Sequence, residues 1–148
     1  MLNEIINNKL KEVNQLRETL DISGININSS KKNHFYKRLL KNQNNKKNSI
    51  IAEIKRRSPS KGMLAENLNV SKIVSEYESG GAACISVLTE KDYFNGSNED
   101  LLEAKNSINL PLLRKDFMLD PIQIYESKML GADCVLLIVS ALSQSTYK

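Results

Sequence analysis

The chain has 148 residues, 41% of them apolar and 26% charged, with a formal net charge of +4, the balance of an ordinary soluble domain built on one core. No apolar run approaches the roughly 18–20 residues that a bilayer crossing needs. The N-terminal "MLNEIINNKLKEV" is too polar and too acidic for a signal or transit peptide, which predicts a cytoplasmic protein.

In chain order, Leu2, Ile5, Ile6, Leu10, Val13, Leu16 and Leu20 recur at three- and four-residue steps, the spacing of one helix face. The same spacing fits a short heptad seam, so a free coiled-coil arm stands beside a helix packed on the body. "DISGININSSKKN" interrupts this helix with Gly, Ser and Asn. A shorter helical piece, "HFYKRLLKN", and a polar connection, "QNNKKNS", follow. His34, the single histidine, reads as a helix-start residue rather than a catalyst, because no orienting partner is visible near it.

From Ser49 the pattern changes to "SIIAEIKR", "NVSKIVSEYESGG", "AACISVLTE", "SNEDLLEAKNSIN", "LPLLRKDF", "DPIQIYESKMLG" and "ADCVLLIVS". Short apolar runs alternate with amphipathic stretches that end in Gly or Asn, which reads as βαβαβαβ. Such alternation predicts a parallel sheet, either doubly wound or the first part of a (β/α)8 barrel; periodicity does not separate the two. Cys84 and Cys134 each lie in one of these apolar runs without a nearby Cys or His. They are expected to be buried free thiols, since metal and redox sites need closely spaced partners.

Charge is unevenly placed. Between Lys31 and Lys61 lie eleven of the 21 Lys and Arg residues but one of the 17 acids, Glu53. Such a block suits a nucleic acid, a membrane, a phosphorylated small molecule or plain solvated surface. "KKNHFYKRLLKNQNNKK" lacks the stacking aromatics or recognition-helix pattern of a nucleic-acid module, so neither nucleic acid nor membrane is the expected partner.

Residues two apart share a face of a strand, so Glu53 and Lys55 point the same way as Ile51, and Lys115 shares a face with Leu113 and Phe117. Each lysine ends an apolar run. One reading has them ending their strands in solvent with Glu53 as a neutralising neighbour. The other puts them at the mouth of a barrel, where the C-terminal strand ends carry chemistry. "RRSPSKG" after the first strand and "LTEKDYFNGSNEDL" after the second supply loops able to hold an anion and an aromatic ring.

"IAEIKRRSPSKG", "ISVLTEKDYFNGSNEDL" and "PLLRKDFMLDPIQIYESKMLGADCVLLIVSAL", behind the leading helix, together resemble the indole-3-glycerol-phosphate synthase family in order and spacing. The resemblance covers essentially the whole chain and is most specific at the first three strand ends. It implies a (β/α)8 TIM-barrel fold and a carboxy-lyase of tryptophan biosynthesis. The expected reaction is ring closure, decarboxylation and dehydration of 1-(2-carboxyphenylamino)-1-deoxyribulose 5-phosphate, with no cofactor and no metal. Carried over by position, Lys115 is the general acid, Lys55 holds the substrate carboxylate, and Glu53 positions and charges both lysines. Ser58, Leu88, Phe94, Phe117 and Leu136 are implied to line the substrate pocket.

The resemblance also implies four further βα units beyond "SALSQSTYK", with a second catalytic carboxylate, an Asn and phosphate-binding loops. The expected organisation is an N-terminal helical extension over residues 1–48 and the first half of a barrel over residues 49–148. A truncated sequence, a split enzyme and a remnant all stay open, as does an inactive half-barrel fragment acting as an interaction partner. The partners expected are the phosphorylated substrate and either the C-terminal half barrel or a fused or neighbouring pathway enzyme.

Overall fold

The computed structural model describes residues 1–26 and 34–143. The sequence-read break over residues 21–33 is therefore described only to Asn26, and "SALSQSTYK" only to Ser143. Lys31 and Lys32 of the basic block lie outside the described residues.

Two helices precede the sheet: α1 (Leu2–Thr19) and α2 (His34–Asn44). Strand β1 (Ile51–Ile54) is followed by a small antiparallel hairpin, β2 (Arg57–Ser58) with β3 (Gly62–Met63). Then come α3 (Val70–Ser79), β4 (Cys84–Leu88), α4 (Asn98–Ser107), β5 (Leu112–Lys115), α5 (Ile122–Met129), β6 (Cys134–Val135) and a 3-10 turn at Val139–Ala141. The strands β1, β4, β5 and β6 form one parallel sheet in that order. It is the sheet that alternating strands and helices predict. The hairpin, which the sequence reads as plain loop, is allowed by Gly62 at φ +68°.

Local chemistry sets the helix limits. Asn69 caps α3 by accepting from Lys72 N at 2.9 Å, and Ser97 caps α4 by accepting from Asp100 N at 3.1 Å. Gly81 and Gly131, at φ +90° and +84°, turn the chain out of α3 and α5.

The core lies on the outer face of the sheet, where Ile54, Ile85, Val87 and Leu112 meet Val70 and Val74 of α3 and Leu101 and Ala104 of α4. The opposite face, which no described helix of the sheet covers and which is called the inward face below, carries Ile51 and Glu53, then Ser86 and Leu88, then Leu113 and Lys115, as strand alternation requires. Ile51 is 43% exposed there, and no strand pairs the outer edge of β1 or of β6 among the described residues. No described helix is long and apolar enough to cross a membrane.

α1 packs on the body rather than standing free. Ile5 and Val13 are buried, and Leu2, Ile6 and Leu16 partly so. Asn8 donates to Asp92 at 3.0 Å, and Arg17 pairs with Asp120. The apolar stripe is offset from the sequence reading: Leu10 is exposed, whereas Lys9 is buried at 3%. Positions 5, 9 and 13 are successive i, i+4 neighbours, so the buried seam runs through a lysine.

Cys84 is buried and Cys134 partly so, and both are free. Burial pushes their thiols up to about 11 and about 12 respectively. His34 opens α2 and does have a partner, with Nδ1 3.3 Å from Asp133 Oδ1.

Candidate active site

The charged residues picked out from the sequence converge at the C-terminal ends of the parallel strands. Glu53 of β1 pairs in register with Ser86 of β4, and Leu88 of β4 with Lys115 of β5. That stagger brings Lys115 Nζ across to Glu53, where it donates to Oε2 at 2.6 Å. Lys55, on the chain just after β1, donates to the other oxygen, Oε1, at 2.8 Å. One carboxylate therefore holds two ammonium groups, and all three side chains are partly open to solvent.

Burial alone would push the Glu53 carboxyl up. The hydrogen bonds and charges of Lys115 and Lys55 outweigh it and hold the group below the ordinary carboxylate value. The cluster keeps one net positive charge. It is suited to attract an anion and to present a lysine proton donor.

Beside the cluster lies an apolar cavity of about 70 Å³, lined by Leu88, Glu90, Phe94, Lys115, Asp116, Phe117, Leu136 and Ile138. Leu88, Phe94, Phe117 and Leu136 are thus brought together with Lys115. Ser58 is not among the lining residues. Its Oγ accepts from Lys61 N at 3.2 Å inside the hairpin, which is tied to the wall of the site by Arg57 N donating to Phe94 O at 3.1 Å.

The sequence reading passed over the residues that hold these groups in place. Glu90 is buried at the end of the β4 segment, and its carboxylate accepts from the backbone N–H groups of Asp92, Tyr93 and Phe94 at 3.2, 2.8 and 3.1 Å. It thereby folds the loop that aims Phe94. An acid two to four residues before "DYFNG" is the signal that could have exposed it, as a side chain closing its own loop. Gly96 donates its N–H to Glu90 O at 2.8 Å, and a Cβ there would stand 2.3 Å from Leu88 O, so the loop lies flat on the strand end.

Arg56, directly after Lys55, forms a two-pronged bond with Asp100 at the start of α4, both prongs 2.8 Å. Behind β5, Arg114 is buried among Thr89, Asn98, Glu126 and Ser127. Strand alternation already puts Arg114 on the opposite face from Lys115. Its partners come from α4, α5 and the β4 end, and no local pattern announces them. Among the described residues no three His, Cys, Asp or Glu side chains converge in a way that could hold a metal ion.

Parallel strands with intervening helices on one face, and charged side chains gathered at the strands' C-terminal ends, put the chain in the parallel α/β class of architecture, to which the (β/α)8 barrel enzymes belong. A family model described as indole-3-glycerol phosphate synthase matches residues 2–148, and the chain belongs to that family of TIM-barrel lyases of tryptophan biosynthesis.

Proposed function

We propose that this chain carries the ring-closing site of an indole-3-glycerol phosphate synthase acting on 1-(2-carboxyphenylamino)-1-deoxyribulose 5-phosphate. The observation that carries the reading is the pair of lysines on Glu53, at 2.8 and 2.6 Å, beside an apolar cavity. The substrate brings a carboxylate, a phosphate and an aromatic ring, and the site offers cations next to apolar walls.

In this reading the anthranilate ring lies against Leu88, Phe94, Phe117 and Leu136. Lys55 holds the carboxylate. The ring carbon bearing that carboxylate attacks the ribulose carbonyl carbon while Lys115 Nζ gives its proton to the carbonyl oxygen. Carbon dioxide leaves, its bonding electrons restore the aromatic ring, and loss of water completes the indole. Glu53 keeps both amines aimed, as an electrostatic partner fixed before reaction.

The strands β1, β4, β5 and β6 are read as four of the eight strands of the barrel, over residues 49–148, with residues 1–48 as the helical extension. The other strands would supply the second carboxylate and the phosphate loops. A second reading, a half-barrel acting as an interaction partner without turnover, is favoured by the 43% exposure of Ile51 on the inward face.

The test is to follow product indole fluorescence after adding the substrate to the chain together with the remaining barrel strands. Turnover supports the synthase reading. A closed, stable complex that binds substrate and does not turn it over supports the second.

A further inference from the structure

A set of buried charges among the described residues has no part in the chemistry above. Lys9 of α1 is 3% exposed, and its Nζ lies 2.8 Å from Glu12 Oε2 and 3.0 Å from Asp116 Oδ1. Asp116 is itself buried. Its Oδ1 also accepts from Phe117 N at 2.8 Å, and its Oδ2 accepts from Thr89 Oγ1 at 2.6 Å. Thr89 in turn accepts from Arg114 Nε at 3.0 Å. One chain of polar contacts thus runs from the N-terminal helix to the ends of β4 and β5.

This chain runs just past the ends of β4 and β5 and borders the active site, with Asp116 itself among the residues that line the apolar cavity. Asp116 sits between Lys115 and Phe117, and Thr89 sits between Leu88 and Glu90; all four neighbours line the apolar cavity. A side chain fixed on one face of an extended segment fixes the direction of its neighbours on the other. The position of the Lys115 amine is therefore set through its backbone as well as by Glu53.

Lys9 is the member of this network that reaches Asp116 from outside the sheet and its helices, on α1. A buried ion pair is commonly no more stabilising than apolar side chains of similar size, and the seam around Lys9, with Ile5 and Val13 on either side, would accept one. Stability alone gives little reason for a lysine here. A directional bond to Asp116 gives one.

We infer that Lys9 is a positioning residue for Lys115, acting through Asp116, so that the N-terminal helix forms a working part of the site. The inference rests on the reading of Lys115 as the proton donor. Lys9 touches no substrate in it; it fixes the backbone from which the donor reaches.

The test uses Lys9→Met, Lys9→Arg and Asp116→Asn in the barrel completed by its remaining strands. Misplacing a catalytic group by about 1 Å can cost up to about a hundredfold, so Lys9→Met is expected to lower kcat by about ten- to a hundredfold with KM little changed. Lys9→Arg should recover most of the loss, and the double variant Lys9→Met/Asp116→Asn should be no worse than Asp116→Asn alone. A readout independent of turnover is labelling of the Lys115 amine by an amine-directed reagent in the 148-residue chain, mapped by peptide mass. The rate should rise severalfold in Lys9→Met and in Asp116→Asn as the contact with Glu53 loosens, and remain near the unsubstituted rate in Lys9→Arg.

A lowered melting temperature with kcat and Lys115 labelling unchanged would make Lys9 a structural residue and overturn the inference. So would failure of both Lys9→Met and Asp116→Asn to fold. Full turnover by Lys115→Ala would instead sink the assignment of the proton donor, while the labelling would still report whether Lys9 holds that side chain.

Discussion

Lys115 and Glu53, separated by 62 residues in the chain, meet at 2.6 Å across the ends of two strands that are not themselves neighbours. The contact spans β4, whose inward side chain level with Glu53 is the small Ser86. On the proposed reading of Lys115 as proton donor, the donor so held is ready before substrate arrives. In the completed barrel, Lys115→Ala is expected to lower kcat by about 10²–10⁴-fold while KM changes little, since a general acid acts chiefly in the transition state. Steady-state kinetics on the variant checks this, and near-normal turnover would remove Lys115 from the mechanism.

Lys55 shares Glu53 with Lys115 yet should behave differently. Its proposed partner is a carboxylate present in substrate and transition state alike, so Lys55→Ala is expected to raise KM and lower kcat together. Unchanged values of both would make it a surface lysine whose pairing with Glu53 is incidental.

The alternation in "IIAEIKR" and "LPLLRKDF" is enough to put Glu53 and Lys55 on one face with Ile51, and Lys115 on one face with Leu113 and Phe117, because strand period depends only on backbone geometry; it leaves open whether the lysines end in solvent or at a site. Leu88, Phe94, Phe117 and Leu136 come from the family resemblance alone, and in the structure they line one cavity with Lys115. What the sequence hid were long-range partners. Nothing near Lys9 announces Asp116, and nothing near Arg56 announces Asp100. The apolar spacing runs the helix stripe through Leu10, which faces solvent, and skips Lys9, because a lysine does not register as a core position. The hairpin at Arg57–Met63 leaves no trace in the sequence pattern because each of its strands has two residues, too short for any period to show.

Opposite pH limits follow from the two ion clusters. Glu53 has a folded-state carboxyl below its ordinary value of 4.5. Its contribution to stability is complete above that value and is lost as pH falls through the depressed folded one. Burial alone would lower the Lys9 ammonium, but Asp116 and Glu12 outweigh it and leave it above its ordinary 10.5, so its contribution is complete below 10.5 and is lost as pH rises through the folded value. Urea midpoints measured across pH should fall less steeply in acid for Glu53→Gln than for the unsubstituted chain, and less steeply in alkali for Lys9→Met. Parallel profiles for variant and parent would show that neither group carries the linkage.

Gly96 is where the aromatic loop touches the strand end. A Cβ there would meet Leu88 O at 2.3 Å and Glu90 O at 3.0 Å, both backbone atoms that no rotamer change can move. Gly96→Ala should therefore cost about 1–3 kcal/mol, the range for forcing atoms into a filled space. It should also displace Phe94, whose N–H is held by Glu90. Chemical denaturation and substrate KM are the two measurements. A variant with unchanged stability and KM would mean that the loop shifts freely and does not shape the cavity.

Expressed as these 148 residues, the chain should self-associate. The edges of β1 and β6 carry backbone N–H and C=O groups with no described strand beside them. Apolar side chains are bare on both faces nearby: Ile51 at 43% on the inward face, and Leu137 at 49% just past β6. Unpaired edges recruit strands and apolar faces seek cover, and here the two lie side by side. Light scattering behind a sizing column should give a mass above that of one chain, rising with concentration, and Ile51→Lys should reduce it by charging the inward face. Adding the remaining barrel strands should compete with self-association and yield one defined species. A monodisperse monomer at every concentration would show that these edges are already protected, and would remove the argument that four more strands are needed to cover them.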